Sequence, residues 1–197
     1  MRTINVDLFL FEELSDDAKK IAIEANRDIN VDHAWYEFVY EDFEENCIFG
    51  VDNIYFSGFW SQGDGAMFEY SSIPYSLKKD FIDSLDLSPM RKNWLLNNIY
   101  ASGRGKHSGH YCHEKCCGHN IYWEINNGDL NWDTNFYQWM EGFAEDFEQY
   151  VIDKYEDLCR DLYRALEDEY NHRTSDEVVA ETLICNEYEF TENGEIQ

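Results

Sequence analysis

Ile54-Tyr-Phe-Ser-Gly-Phe-Trp-Ser-Gln-Gly-Asp-Gly-Ala-Met-Phe68 is the stretch on which the fold turns. Its first half alternates, with Tyr55, Ser57 and Phe59 on one face and Phe56, Gly58 and Trp60 on the other, the period of a strand. Ser61-Gln-Gly-Asp-Gly65 reads as a turn whose two glycines tolerate positive φ. Ala66-Met-Phe-Glu-Tyr70 is the expected return strand. The aromatic wall of Phe56, Phe59, Trp60 and Phe68 serves a core, but the polar residues set among it also suit a ligand.

Working outward, Thr3 to Phe11 reads as a first strand. Ser15 is the expected N-cap of a helix with Asp16 and Asp17 in its first turn, where they complement the dipole. Ala18, Ile21, Ala22, Ala25 and Ile29 mark its apolar face. Asp32 is the expected cap of a second helix with Trp35, Val39, Phe43 and Cys47 on one side and Glu37, Glu41, Glu44 and Glu45 on the other. Beyond the hairpin, Leu77, Phe81, Ile82 and Leu85 predict a short helix after Pro74. Ser88-Pro89 then opens another, with proline at the first helical position.

Ile99 to Gly105 reads as a glycine-rich loop with local positive charge at Arg104 and Lys106. His107 to Glu114 and Asn120 to Ile125 read as two strands, and Asn126 to Asp129 as a turn. From Asn135 onward Phe136, Met140, Phe143, Phe147, Val151, Tyr155, Leu158, Leu162 and Leu166 recur every three or four residues without a proline. That pattern predicts one helix of about 35 residues, straight, bent or divided. A helix capped by Ser175 and a last strand at Asn186 to Phe190 complete the chain. The expected class is α+β: an antiparallel β-sheet with helices packed on one face and a long C-terminal amphipathic helix. The expected organisation is a single domain over 1–197, with a sheet-containing core at 1–133, an acidic helical region at 134–190 and a loose tail at 191–197.

Among 197 residues, 41 are acidic and 15 basic, a formal net charge of −26. Such a surface repels phosphate backbones, so direct nucleic-acid binding is not expected. It suits a partner with a basic surface, although high charge also serves solubility. No apolar run is long enough to cross a bilayer. Six cysteines without a secretion signal read as reduced thiols in a cytosolic chain.

Three groups of residues are candidates for chemistry. His107, His110, Cys112, His113, Cys116, Cys117 and His119 are of metal-ligating type, but strand alternation would divide them and no distant Cys/His pair completes a four-ligand set. No metal or cofactor is therefore expected, and the favoured reading is exposed histidines with small buried thiols. No nucleophile elbow, phosphate loop, zincin helix or dinucleotide fingerprint is present, which points away from an enzyme. The second group is a pocket for a nucleotide-like ligand at Ser57, Phe59, Trp60, Ser61, Gln62, Asp64 and His110, with Arg104, Lys106 and His107 facing a phosphate. The third is the acidic side of the long helix. Glu141, Glu145, Asp153, Glu156, Asp157 and Asp161 would meet a basic cleft much as a row of phosphates does; Glu156 and Arg160 form an expected pair within it.

Three blocks carry a family likeness: Phe11-Glu-Glu-Leu-Ser-Asp-Asp-Ala-Lys-Lys20, Ile54 to Ala66, and His107-Ser-Gly-His-Tyr-Cys-His-Glu114. Together they resemble small bacteriophage and prophage proteins commonly labelled antitoxins of toxin–antitoxin stability systems. The resemblance covers the N-terminal two-thirds and is most specific at Phe56-Ser-Gly-Phe-Trp-Ser-Gln-Gly-Asp-Gly-Ala66. It implies phage origin, action in the bacterial host cytoplasm and inhibition by binding, and it transfers no catalytic residue. The expected function is an antitoxin-like or anti-defence protein that binds a host toxin or defence component through its acidic surface, as a DNA mimic does. One alternative is sequestration of a nucleotide signal in the hairpin pocket; another is a metal-dependent enzyme built on the His/Cys stretch. Membrane association is not expected, and the composition is compatible with an oligomer.

Overall fold

The computed structural model describes residues 7–126 and 134–197. Residues 3–6 of the expected first strand, and the turn expected at Asn126 to Asp129 from residue 127 on, lie outside the described residues; of the rest of that strand, only Phe9–Leu10 is extended and paired. The packing divides into two units, Tyr40–Ala165 and Met1–Val39 with Leu166–Gln197.

The larger unit is built on strands β2 (Val51–Ser57), β3 (Gly65–Tyr70), β4 (Ile99–His107) and β5 (Cys117–Ile125). They form one antiparallel sheet in the order β2-β3-β4-β5. The hairpin is therefore real but shorter than its aromatic pattern: β2 ends at Ser57, and Gly58 to Asp64 form the connection. Helices α3 (Tyr75–Ser84) and α4 (Pro89–Asn98) bring Leu77, Phe81, Ile82 and Leu95 to the core. Part of α2 (Glu37–Asn46) contributes Phe43, whose ring lies 5.2 Å from Phe68. Met140, Phe143, Phe147, Val151, Tyr155 and Cys159 come from α5 (Thr134–Arg173), which is continuous over 40 residues.

Arg104 and Lys106 sit in a strand, not in a loop. The glycines that suggested a loop are required by packing. A Cβ on Gly105 would lie 2.3 Å from the Tyr70 ring, and one on Gly103 would lie 2.7 Å from Ile73 Cδ1. Conversely, the strand expected at His107 to Glu114 ends at His107; the chain then turns through a 3-10 segment at Glu114–Cys116. β4 and β5 pair without a break from Ile99↔Ile125 to His107↔Cys117. Ala101, Ile121, Trp123 and Ile125 join the core, while Tyr100, Ser102, Arg104, Asn120, Tyr122 and Glu124 are exposed on the other face. The sheet thus carries its helices on one face.

The smaller unit pairs β1 (Phe9–Leu10) with β6 (Glu189–Phe190). Its core joins Phe11, Leu14, Ala18 and Ala22 to Val179, Leu183 and Phe190. Ser15 caps α1 (Asp16–Ala25) by accepting from Ala18 N at 3.3 Å, and Ser175 caps α6 (Asp176–Cys185) in the same way. Asp32 is not a cap; α2 begins five residues later. Arg27 donates to Thr174 O (2.8 Å) and pairs with Asp176 (2.8 Å). The tail expected to be loose is tied down, since Phe190 bridges Ile196 and Gln197 N donates to Glu189 O. No helix among the described residues is long and apolar enough to cross a membrane.

Candidate functional site

The apolar stripe of α5 faces the core, and its spacing decides what is left outside. Glu141, Glu145, Gln149, Asp153, Asp157 and Asp161 follow one another at four-residue steps, each exposed. Each step advances roughly 6 Å along the helix and brings neighbouring side chains within reach of one another. The row therefore holds like charges together, at a cost to the helix of about 0.2–0.5 kcal/mol per adjacent pair.

The two halves of this row differ. Arg160 lies 2.6 Å from Asp157, 3.5 Å from Glu156 and 3.9 Å from Glu114; Arg164 lies 3.2 Å from Asp161. The hydrogen bond that Arg160 donates to Asp157, followed by the charge of that carboxylate, raises the pKa of Arg160. Asp157, Glu156 and Asp161 are thus answered locally, and the expected Glu156–Arg160 pair is present. Among the described residues, Glu141, Glu145 and Asp153 have no ion pair; Asp153 accepts only from Gln149 Nε2, at 2.8 Å. Asp146 and Glu148 are exposed beside them. The unanswered negative charge is at the N-terminal half of the row.

The residues proposed for a nucleotide pocket are distributed over three places. Trp60 is 77% exposed, with Ser61 and Gln62 also in the open, and Phe59 is held between Phe56 and Tyr163. The Asp64 carboxylate accepts from Trp60 N (2.9 Å) and Ser61 N (2.6 Å), so it closes the turn. Ser57 Oγ is buried without a hydrogen-bond partner. His107 stacks on Tyr55 at 4.9 Å and donates through Nε2 to Tyr111 O at 3.0 Å; His110 lies against Tyr111. Arg104 is on the outer face of β4, opposite Asn120. Two cavities lie elsewhere: a groove of about 510 Å³ lined by Leu87, Trp94, Phe136 and Trp139, and one of about 420 Å³ beside Lys154, Arg160 and Arg164.

The His/Cys stretch is divided in a similar way. His113 accepts from Lys115 N at Nδ1 (3.2 Å), leaving Nε2 3.6 Å from Cys116 Sγ. His119 points inward, 2.9 Å from the Tyr70 hydroxyl, and burial lowers its pKa. Burial pushes the Cys159 thiol up to about 12 and raises that of Cys117. Among the described residues, no three of His, Cys, Asp and Glu gather where a metal ion could be held.

Residues 35–176 match the family described as a domain of unknown function (DUF8835). The chain belongs to this family. No curated protein and no solved structure matches the chain. The DUF8835 stretch contains all four strands of the larger sheet, the hairpin and the whole acidic row. It also contains Glu69, which sequence reasoning passed over. This side chain, 10% exposed, accepts from His107 N (2.9 Å), Lys106 Nζ (3.0 Å) and Asn53 Nδ2 (2.9 Å). Its signal was a lone charge in the otherwise apolar run Ala66 to Tyr70, since a buried carboxylate demands partners.

Proposed function

We propose that this DUF8835 protein is an inhibitor that docks the N-terminal half of its α5 acidic row on a basic surface of another protein. The observation that carries the reading is Glu141, Glu145 and Asp153, exposed at helical spacing and without an ion pair among the described residues, while Asp157 and Asp161 in the rest of the row are paired with arginines. Charges kept together against their mutual repulsion are best accounted for by a partner that supplies the counter-charge. A cleft that ordinarily holds a nucleic-acid backbone has that chemistry. The resemblance to phage antitoxin-like proteins supplies the setting: a phage product acting in the bacterial cytoplasm on a host toxin or defence component.

Reversing Glu141, Glu145 and Asp153 together to lysine should abolish capture of the partner from host extract and weaken inhibition about 100-fold or more, consistent with several desolvated charge pairs. Reversing Asp157 and Asp161 should cost far less. The wild-type complex should weaken steeply with salt. If the triple variant inhibits as the parent does, the acidic row is not the binding surface.

A further inference from the structure

The outer face and free edge of β5 form a second surface, from which the acidic excess is absent. From Ile99 to Asn126 the chain holds three basic residues (Arg104, Lys106, Lys115) and two acidic ones (Glu114, Glu124), in a protein with 15 and 41. Tyr100 and Tyr122, each 60% exposed, stand on this face with Arg104. Tyrosine and arginine are enriched in protein interfaces, where aspartate and glutamate are depleted.

The two edges of the sheet are unlike. β2 is interrupted by an irregularity between Val51 and Asn53 and carries Asp52 there. A bulge and a charge are the usual means of blunting an edge. β5 has neither a bulge nor a proline: its nine residues, Cys117-Gly-His-Asn-Ile-Tyr-Trp-Glu-Ile125, pair with β4 in unbroken register and carry one charge, Glu124. Among the described residues, no strand lies on its other side. Nine residues of regular, nearly uncharged edge are a template for another strand.

We infer that the strand completing this edge is β5 of a second copy, paired antiparallel about a two-fold axis at Ile121. Electrostatics select this occupant. Two chains of charge −26 repel over most of their surface, and here the acidic excess is absent. The register that pairs all nine residues places Glu124 opposite Gly118 of the second copy and Tyr122 opposite Asn120 of the second copy. No like charges face each other. The product is one eight-stranded sheet with an isologous interface. The α5 row lies on the helical side of the sheet and stays open.

Sedimentation of the full chain at tens of micromolar should show a species of twice the 23.5 kDa chain mass. Because long-range repulsion opposes the dimer, raising salt from about 0.05 to about 0.5 M should tighten it, the reverse of the salt effect on the partner complex. Tyr122→Glu brings two carboxylates near the axis and should raise the dissociation constant about tenfold or more, with the thermal transition of the dilute monomer unchanged because the side chain is exposed. Amide exchange along Cys117–Ile125 should slow with concentration in the parent and not in the variant. The Glu141, Glu145 and Asp153 reversals should leave the dimer intact, which keeps this test separate from that of the inhibitor reading. A monomer at every salt and concentration overturns the inference. So does a Tyr122→Glu dimer as tight as the parent, or a monomer whose tyrosine fluorescence is quenched by single-stranded oligonucleotide.

Discussion

At Glu69 a side chain completes a ladder that the backbone leaves open. β3 and β4 share one register pair, Tyr70↔Gly105, and the next amide of the departing strand, His107 N, is taken by Glu69 Oε1. That backbone hydrogen bond, with Lys106 next, holds the carboxyl pKa down at about 2. In the unfolded chain a glutamate titrates near about 4.3, so between these values the unfolded state binds more protons than the folded one. The contribution of Glu69 is fully present above the unfolded value and is lost as pH falls through the folded one. Denaturant unfolding of the parent should therefore show stability declining from about pH 4 to about pH 2, with a shallower decline in Glu69→Gln. An equal slope in both would remove Glu69 from that role.

Helix α5 illustrates what a run of carboxylates does to its own element. Glu145 has Glu141 four residues before it and Glu148 three after, both like-charged neighbours on the helix surface. Glu145→Gln should raise the stability of the isolated protein by about 0.5 kcal/mol while weakening capture of the partner. Calorimetry and pulldown on the same preparation read the two effects, and a loss of both stability and binding would indicate a structural role. The helix was legible in the sequence because its apolar stripe repeats through some nine turns, and Ser15 and Ser175 marked their helices because a cap is a local hydrogen bond. β4 was not legible. Gly103 and Gly105 look like breakers until Tyr70 and Ile73, distant in sequence, are seen pressed against them. The acidic row was legible residue by residue, but its division into answered and unanswered halves depends on which carboxylates Arg160 and Arg164 reach. The end of β2 was misplaced because strand alternation was carried past Ser57 to Phe59 and Trp60, which belong to the connection.

Over the whole molecule, a net charge of −26 with mostly local ion pairs means that folding gathers repelling groups. Salt screens that repulsion, with a Debye length of about 10 Å at 0.1 M. The melting temperature should therefore rise by several degrees as salt goes from about 0.02 to about 0.3 M. A fall over that range would mean that the ion pairs outweigh the repulsion.

The two-part construction of the smaller unit bears on how the chain comes off the ribosome. Phe9 pairs with Phe190, and Phe11, Leu14, Ala18 and Ala22 wait for Val179, Leu183 and Phe190. At translation rates of about 5–20 residues per second, roughly eight to thirty-five seconds separate the two halves of that core. The larger unit is complete in the nascent chain once Ala165 has emerged. A segment made before the sheet is thus among the last to find its neighbours, and a message cut short before the α6 codons would yield a sheet unit preceded by an arm whose apolar face has no cover.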